Sequence, residues 1–267
     1  MIVEFVGSTG AGKTTIASEV QRRLARSAPV VSAYDLAADL LGLGRATNPT
    51  LRNLTQDLVA LPFFFRALVR HRAFVAFALR IVARQSGLSF LTLNYVRSII
   101  RKVGIYEMSK RYGRDRIVLV DEGTVSSVHL LFVFTRQLYS EDEIKEFAAL
   151  VPLPGLVVYI KAPVDVLVQR ALQRSDAPRE MRAKDQREIE EYVWRAARMF
   201  DQLSGGNGIR ERVLVVSNPP STGGELGVVA DGIAAGILNI ESVPGKRRAR
   251  PAGEIRPVSV IGGKGVN

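Results

Sequence analysis

The chain has 267 residues, no cysteine, two histidines and a formal net charge of +11 at pH 7. That length suits one large α/β domain with a full core. The composition excludes a disulfide framework and any cysteine-based nucleophile or metal site, and leaves little for a histidine metal cluster. The first apolar run is short and has no basic leader, so no secretory signal is expected and a cytoplasmic protein is the simplest expectation.

Ile2-Val3-Glu4-Phe5-Val6 reads as a buried strand. It runs into Gly7-Ser8-Thr9-Gly10-Ala11-Gly12-Lys13-Thr14, a complete G-x-x-x-x-G-K-[ST] phosphate-binding loop. An amphipathic helix from Thr15 to Leu24 follows, so the order is strand, loop, helix, as the motif requires. Glycines let backbone N–H groups curl around phosphate oxygens, and the helix N-terminus adds its positive dipole end. The candidate cradle therefore runs from Gly7 through Thr15, with Lys13 directed at the β- and γ-phosphates and the Thr14 hydroxyl at Mg²⁺.

A second strand is expected over Val30–Tyr34, leading to Asp35, which is placed to cap the next helix. Residues 50–112 read as a long helical insertion, with Pro62 starting a helix at Phe63. Between residues 50 and 116 thirteen lysines and arginines face only Asp57, Glu107 and Asp115. Such a stretch suits an anionic substrate, a nucleic acid, a membrane surface or merely a solvated helix face. The run from Val59 to Ala83 is apolar, but its basic residues interrupt it too often for a membrane span. In one continuous helix Arg66, Arg70 and Arg84 fall within about 40° of one another. That ridge makes Arg66 and Arg70 candidate acceptor contacts in a lid or substrate subdomain; an interfacial membrane helix is the alternative.

The third strand, Ile117–Val120, ends in Asp121-Glu122-Gly123. Ligands gather outside such strand ends in doubly wound sheets. Asp121 is placed to manage Mg²⁺ opposite Thr14, and Glu122 to orient a water or accept a proton. A fourth strand, Leu156–Ile160, precedes a helix that displays Arg170 and Arg174, followed by Arg179 and Arg182. Arginines there would stabilise charge spread over a transferring phosphoryl group. A fifth strand is expected at Val213–Val216. Strands alternating with helices imply an α/β three-layer sandwich around a mainly parallel sheet of about five strands, spanning residues 1–240. Residues 241–267, rich in Pro, Gly and positive charge, read as a disordered basic tail.

These stretches together resemble the P-loop kinases, particularly thymidylate kinase-like and deoxynucleoside kinase-like proteins. The matching pieces are Gly7–Thr14, Asp35, Asp121-Glu122-Gly123, and Arg170 with Arg174, Arg179 and Arg182. The resemblance implies ATP and Mg²⁺ as cofactors, Asp35 on a substrate hydroxyl, lid arginines on the ATP phosphates, and a loop at residues 217–221, with Asn218, near the adenine. It also implies a dimer, as is common in kinases of this shape. This chain departs from thymidylate kinases in lacking their Arg-containing motif after strand two and their Asp-Arg pair after strand three. Its basic insertion is also larger and more apolar.

The expected function is transfer of the γ-phosphoryl group of ATP to a small acceptor, a nucleoside or nucleoside monophosphate being the first choice. A hydrolytic P-loop ATPase, with Glu122 polarising water, is the second reading. The third is an ATP-binding protein that docks on nucleic acid or a membrane surface through the basic 50–112 patch and the Lys246–Arg250 cluster. Specific nucleic-acid binding is not expected, because no aromatic-rich recognition motif is present.

Overall fold

A computed structural model describes residues 1–43, 49–85, 90–133, 139–173, 185–206, 208–218 and 225–241. Five strands form one parallel sheet in the order β2-β3-β1-β4-β5. They are β1 (Ile2–Val6), β2 (Val30–Ser32), β3 (Ile117–Asp121), β4 (Leu156–Lys161) and β5 (Val213–Ser217). All are rich in Val and Ile and nearly continuous in burial, as parallel strands covered on both faces must be.

Two helices, α1 (Lys13–Leu24) and α9 (Glu225–Glu241), pack together on one face, tied by Arg23 and Asp231. The other face carries α2 (Ala33–Leu40), α3 (Pro49–Ala67) and α5 (Phe90–Tyr112) at the β2–β3 end. Towards β4 lies α8 (Gln186–Gly205), whose Ala197 carbonyl and Asp201 carboxylate accept from the Tyr159 hydroxyl. The remaining helices are α4 (Arg72–Gln85), α6 (Glu141–Leu150) and α7 (Val164–Gln173). This is the expected three-layer sandwich with a parallel sheet.

Local departures from the expected elements have local causes. β2 stops at Ser32 rather than Tyr34 because the Ser32 hydroxyl accepts the Asp35 N–H at 3.0 Å and starts α2. Pro62 does not start a helix; α3 runs through it. The packing of α3 along α5 outweighs the proline's cost. Gly104 of α5 permits that closeness, since a Cβ there would lie 2.1 Å from the Ala60 carbonyl oxygen.

The arginine ridge fails for a related reason. α3 ends at Ala67 and α4 begins at Arg72, so no continuous helix joins Arg66, Arg70 and Arg84. Arg70 instead donates to Glu107 of α5 at 2.9 Å, and Arg84 pairs with Glu143 of α6. Of residues 241–267, read as a tail, Glu241 instead closes α9, and the rest lie outside the described residues.

Candidate active site

The site assembles at the C-terminal ends of β1 and β3. β1 delivers the chain into the Gly7–Thr14 loop, and α1 begins at Lys13 with Gly12 as its N-cap. Gly12 has φ +85°, and a Cβ there would meet the Asn218 side-chain nitrogen at 2.7 Å. A glycine is therefore required on both conformational and steric grounds. The Lys13 ammonium donates to the Gly7 and Ser8 carbonyl oxygens at 3.0 and 3.1 Å, inside the curl of the loop. Ser8 is buried, and its hydroxyl has no hydrogen-bond partner among the described residues. A buried, unsatisfied hydroxyl in a loop of this shape fits an anion's oxygen. Thr15 lies exposed in the first turn of α1.

Across the loop, the Thr14 hydroxyl donates to the Asp121 carboxylate at 3.0 Å. Position 14 and position 121 are thus brought together as the sequence implied. One hydroxyl and one carboxylate make a hard oxygen pair that suits Mg²⁺, which takes few protein ligands and completes its shell with phosphates and water.

The fold is a three-layer α/β sandwich around a parallel sheet, with a glycine-rich loop after its central strand. The Thr14–Asp121 pair ties the end of that loop to β3. No protein-family model matches the sequence, and no curated protein matches it significantly. Solved structures do align over most of the chain. A shikimate kinase from Acinetobacter baumannii in complex with shikimate is 15% identical, with 91% of this chain and 95% of that chain covered and a TM-score of 0.41. A shikimate kinase from Bacteroides thetaiotaomicron is 10% identical, covers 91% and 99%, and has a TM-score of 0.43. A thymidylate kinase from Ehrlichia chaffeensis is 13% identical, covers 89% and 98%, and has a TM-score of 0.44. The likeness is loose and says nothing of which substrate this chain takes.

Other predicted residues are placed beside the loop rather than in it. The Asn218 side chain donates to the Ala11 carbonyl at 2.8 Å and its backbone N–H to Lys161 at 2.6 Å. Asn218 therefore braces the phosphate loop against the end of β4. Arg170 lies under the loop, its guanidinium 3.4 Å from the Gly10 carbonyl. Arg174, Arg179 and Arg182 lie outside the described residues.

A cavity of ≈ 320 Å³ opens from the Thr14–Asp121 pair towards α2, α3 and α5. Asp35 and Tyr34 line it from α2, Arg52 and Gln56 from α3, and Arg101 and Lys102 from α5. Arg66 and Arg70 do not line it; both are exposed, Arg66 at the far end of α3 and Arg70 in the turn beyond it. The cations in the cavity are instead Arg52, Arg101 and Lys102. Arg52 stacks on the Tyr34 ring at 4.8 Å, and Arg101 donates to Asn53 at 3.1 Å, so both arrive pre-positioned.

Lys102 is the residue that sequence reasoning passed over. It is buried, and its ammonium donates to the Glu122 carbonyl at 2.7 Å. Burial pushes its pKa below the usual lysine range, while the Glu122 and Glu4 carboxylates oppose that shift. The bond holds Glu122 at φ +62°, a conformation that non-glycine residues rarely adopt. Strain at such a site persists only where neighbours enforce it. Burial would raise the Glu122 carboxyl, but the Lys102 and Lys13 ammonium groups pull harder and set it below the usual carboxylate range. Glu122 is thus held ionised while its outer side stays open to the cavity.

Glu4 supports this turn from below. Its carboxylate accepts the Val125 N–H at 3.1 Å, the Ser126 N–H at 2.8 Å and the Ser126 hydroxyl at 2.8 Å. Burial nonetheless pushes its pKa up, against those bonds and Lys102. Behind Glu122, burial first and then Lys13 lower His129 to about 3, so it stays neutral at physiological pH. It shares a 3.2 Å hydrogen bond with the Tyr192 hydroxyl.

The tether makes a stability prediction. A Cβ at Gly123 would lie 2.6 Å from Oε2 of the Glu4 carboxylate, a group that three hydrogen bonds hold in place, one on Oε2 and two on Oε1. Gly123→Ala is expected to cost about 1–3 kcal/mol in a urea unfolding titration. An unchanged midpoint and slope would show that the turn can yield.

Proposed function

We propose that the chain is an ATP- and Mg²⁺-dependent phosphotransferase acting on a small acceptor held between α2, α3 and α5. One observation carries this reading: a cavity with both a carboxylate and cations adjoins the end of the loop, where Thr14, Asp121 and Glu122 line it. A hydrolase needs only a water at that point, whereas a second substrate needs a shaped, charged site.

Each side chain has a role in that scheme. The loop and Lys13 orient the triphosphate. Thr14 and Asp121 are the residues that would hold Mg²⁺, which when bound neutralises charge on the phosphate oxygens. Glu122, held ionised, accepts the proton of the attacking hydroxyl or orients it. Arg52, Arg101 and Lys102 attract an anionic group on the acceptor. The stacked Arg52–Tyr34 pair offers a flat wall, which supports a nucleoside or nucleoside monophosphate as the acceptor.

Asp35 tests the acceptor side. Its backbone is capped by Ser32 whether or not its carboxylate binds substrate. Asp35→Asn is expected to raise the KM for the acceptor by about tenfold and leave the KM for ATP within about twofold, the scale of one charge-assisted hydrogen bond. Equal changes in both constants would reject that assignment.

The ionised Glu122 also suits a hydrolytic ATPase. ADP release by the full chain with Mg²⁺, alone and with nucleosides, nucleoside monophosphates and sugars in turn, separates the two. Stimulation by one acceptor class supports the kinase. Steady release that none of them stimulates supports the hydrolase.

A further inference from the structure

On its outer side α3 carries Leu51, Leu54, Leu58, Leu61 and Phe65, spaced alternately three and four apart. At about 100° per residue they share an arc of about 80° and a stripe about 21 Å long. They are 44–61% exposed, and Val69, just past the helix end, is 78% exposed. The inner side, with Val59, Ala60, Phe64 and Ala67, is buried. The helix is thus apolar on two sides with only one covered, and contiguous apolar surface of this kind marks an interaction site.

Charge indicates what covers it. Residues 49–73 contain Arg52, Arg66, Arg70 and Arg72 against one acid, Asp57. Arg97 holds that acid, donating to it at 2.8 Å. Arg66, near the end of α3, and Arg72, at the start of α4, are exposed, and Arg70 between them keeps 63% of its side chain in solvent beyond its contact with Glu107. A surface that is apolar beneath and anionic at its rim complements both features, and long arginine side chains reach its phosphates while the stripe enters the acyl boundary.

We propose that the outer face of α3 docks the protein peripherally on an anionic lipid surface. Docking is at the surface only, since no described helix is long and apolar enough to cross a membrane. The proposal does not depend on the kinase reading. It does have a consequence for it, because the same helix presents Arg52 and Gln56 to the cavity on its other side.

Vesicle flotation of the full chain tests this. Wild-type protein is expected to float with equimolar phosphatidylcholine and phosphatidylglycerol, to be released by salt, and to remain unbound with phosphatidylcholine alone. The double variant Leu58→Gln/Phe65→Gln is expected to lose partitioning by about tenfold or more, the scale of two large apolar anchors. Both residues are half-exposed, so the variant should keep the circular dichroism spectrum and urea midpoint of wild type, which controls for folding. Unchanged flotation of the variant would place binding elsewhere, such as the basic residues 246–250, and overturn the proposal. So would a failure of the wild type to float. A dimer in light scattering that the variant splits would show that a second copy covers the stripe, and would equally overturn it.

Discussion

Lys13→Ala is expected to lower kcat/KM for phosphoryl transfer by about 10³-fold or more, the scale on which preorganised charge stabilises a transferring group. The ammonium sits inside the loop on the Gly7 and Ser8 carbonyls, within reach of any phosphate the loop cradles. Its removal leaves the loop's glycine conformations and the Asn218 brace in place. Thermal unfolding should therefore change little while turnover collapses. Turnover of the acceptor is the measurement, and wild-type activity in the variant would sink the assignment of the loop as the phosphate site.

The second large effect belongs to Lys102. Lys102→Met is expected to lower kcat by about 10²-fold and to move the acidic limb of the pH–rate profile upward. Glu122 now lies below the usual carboxylate range because the lysines outweigh its burial. With Lys102 gone, burial remains and the largest opposing charge does not, so the carboxyl rises. The sign for stability follows: in the wild type the ionised Glu122 contributes stability above its unfolded pKa, and this is lost as pH falls through its depressed folded value. In the variant that contribution is absent at neutral pH too. A purely structural lysine would lower stability without moving the acidic limb, and that result would remove Lys102 from the mechanism. Lys102→Arg keeps the charge and should restore the limb in part.

Most of the fold is written in local signals. The strands are short Val- and Ile-rich runs between helices, and the phosphate loop fixes which strand is central and where the site must lie. Asp121 could be paired with Thr14 because both follow strands at the same sheet edge. The acceptor side was harder, since it depends on how α3, α4 and α5 fold back on one another. An arginine ridge assumed a continuous helix, and the turn between Ala67 and Arg72 dissolves it. Lys102 did leave a trace in the sequence. It lies on the same side of α5 as the buried Ile99 and Val103, where a lysine must find a partner or lose its charge. Glu4, an acid within an otherwise apolar strand, is the same kind of trace. Neither names its partner, because the Glu122 turn comes from a different element more than a hundred residues from Glu4.

The most direct test of a two-substrate site is the mass of the acceptor. The full chain is incubated with ATP, Mg²⁺ and one acceptor at a time, and acceptor mass is followed together with ADP. One acceptor class is expected to gain a single phosphoryl group in step with ADP release, and to stop doing so in Lys13→Ala. ADP and inorganic phosphate appearing together, with every acceptor unchanged, would contradict a transferase and make Glu122 the base of a hydrolytic reaction.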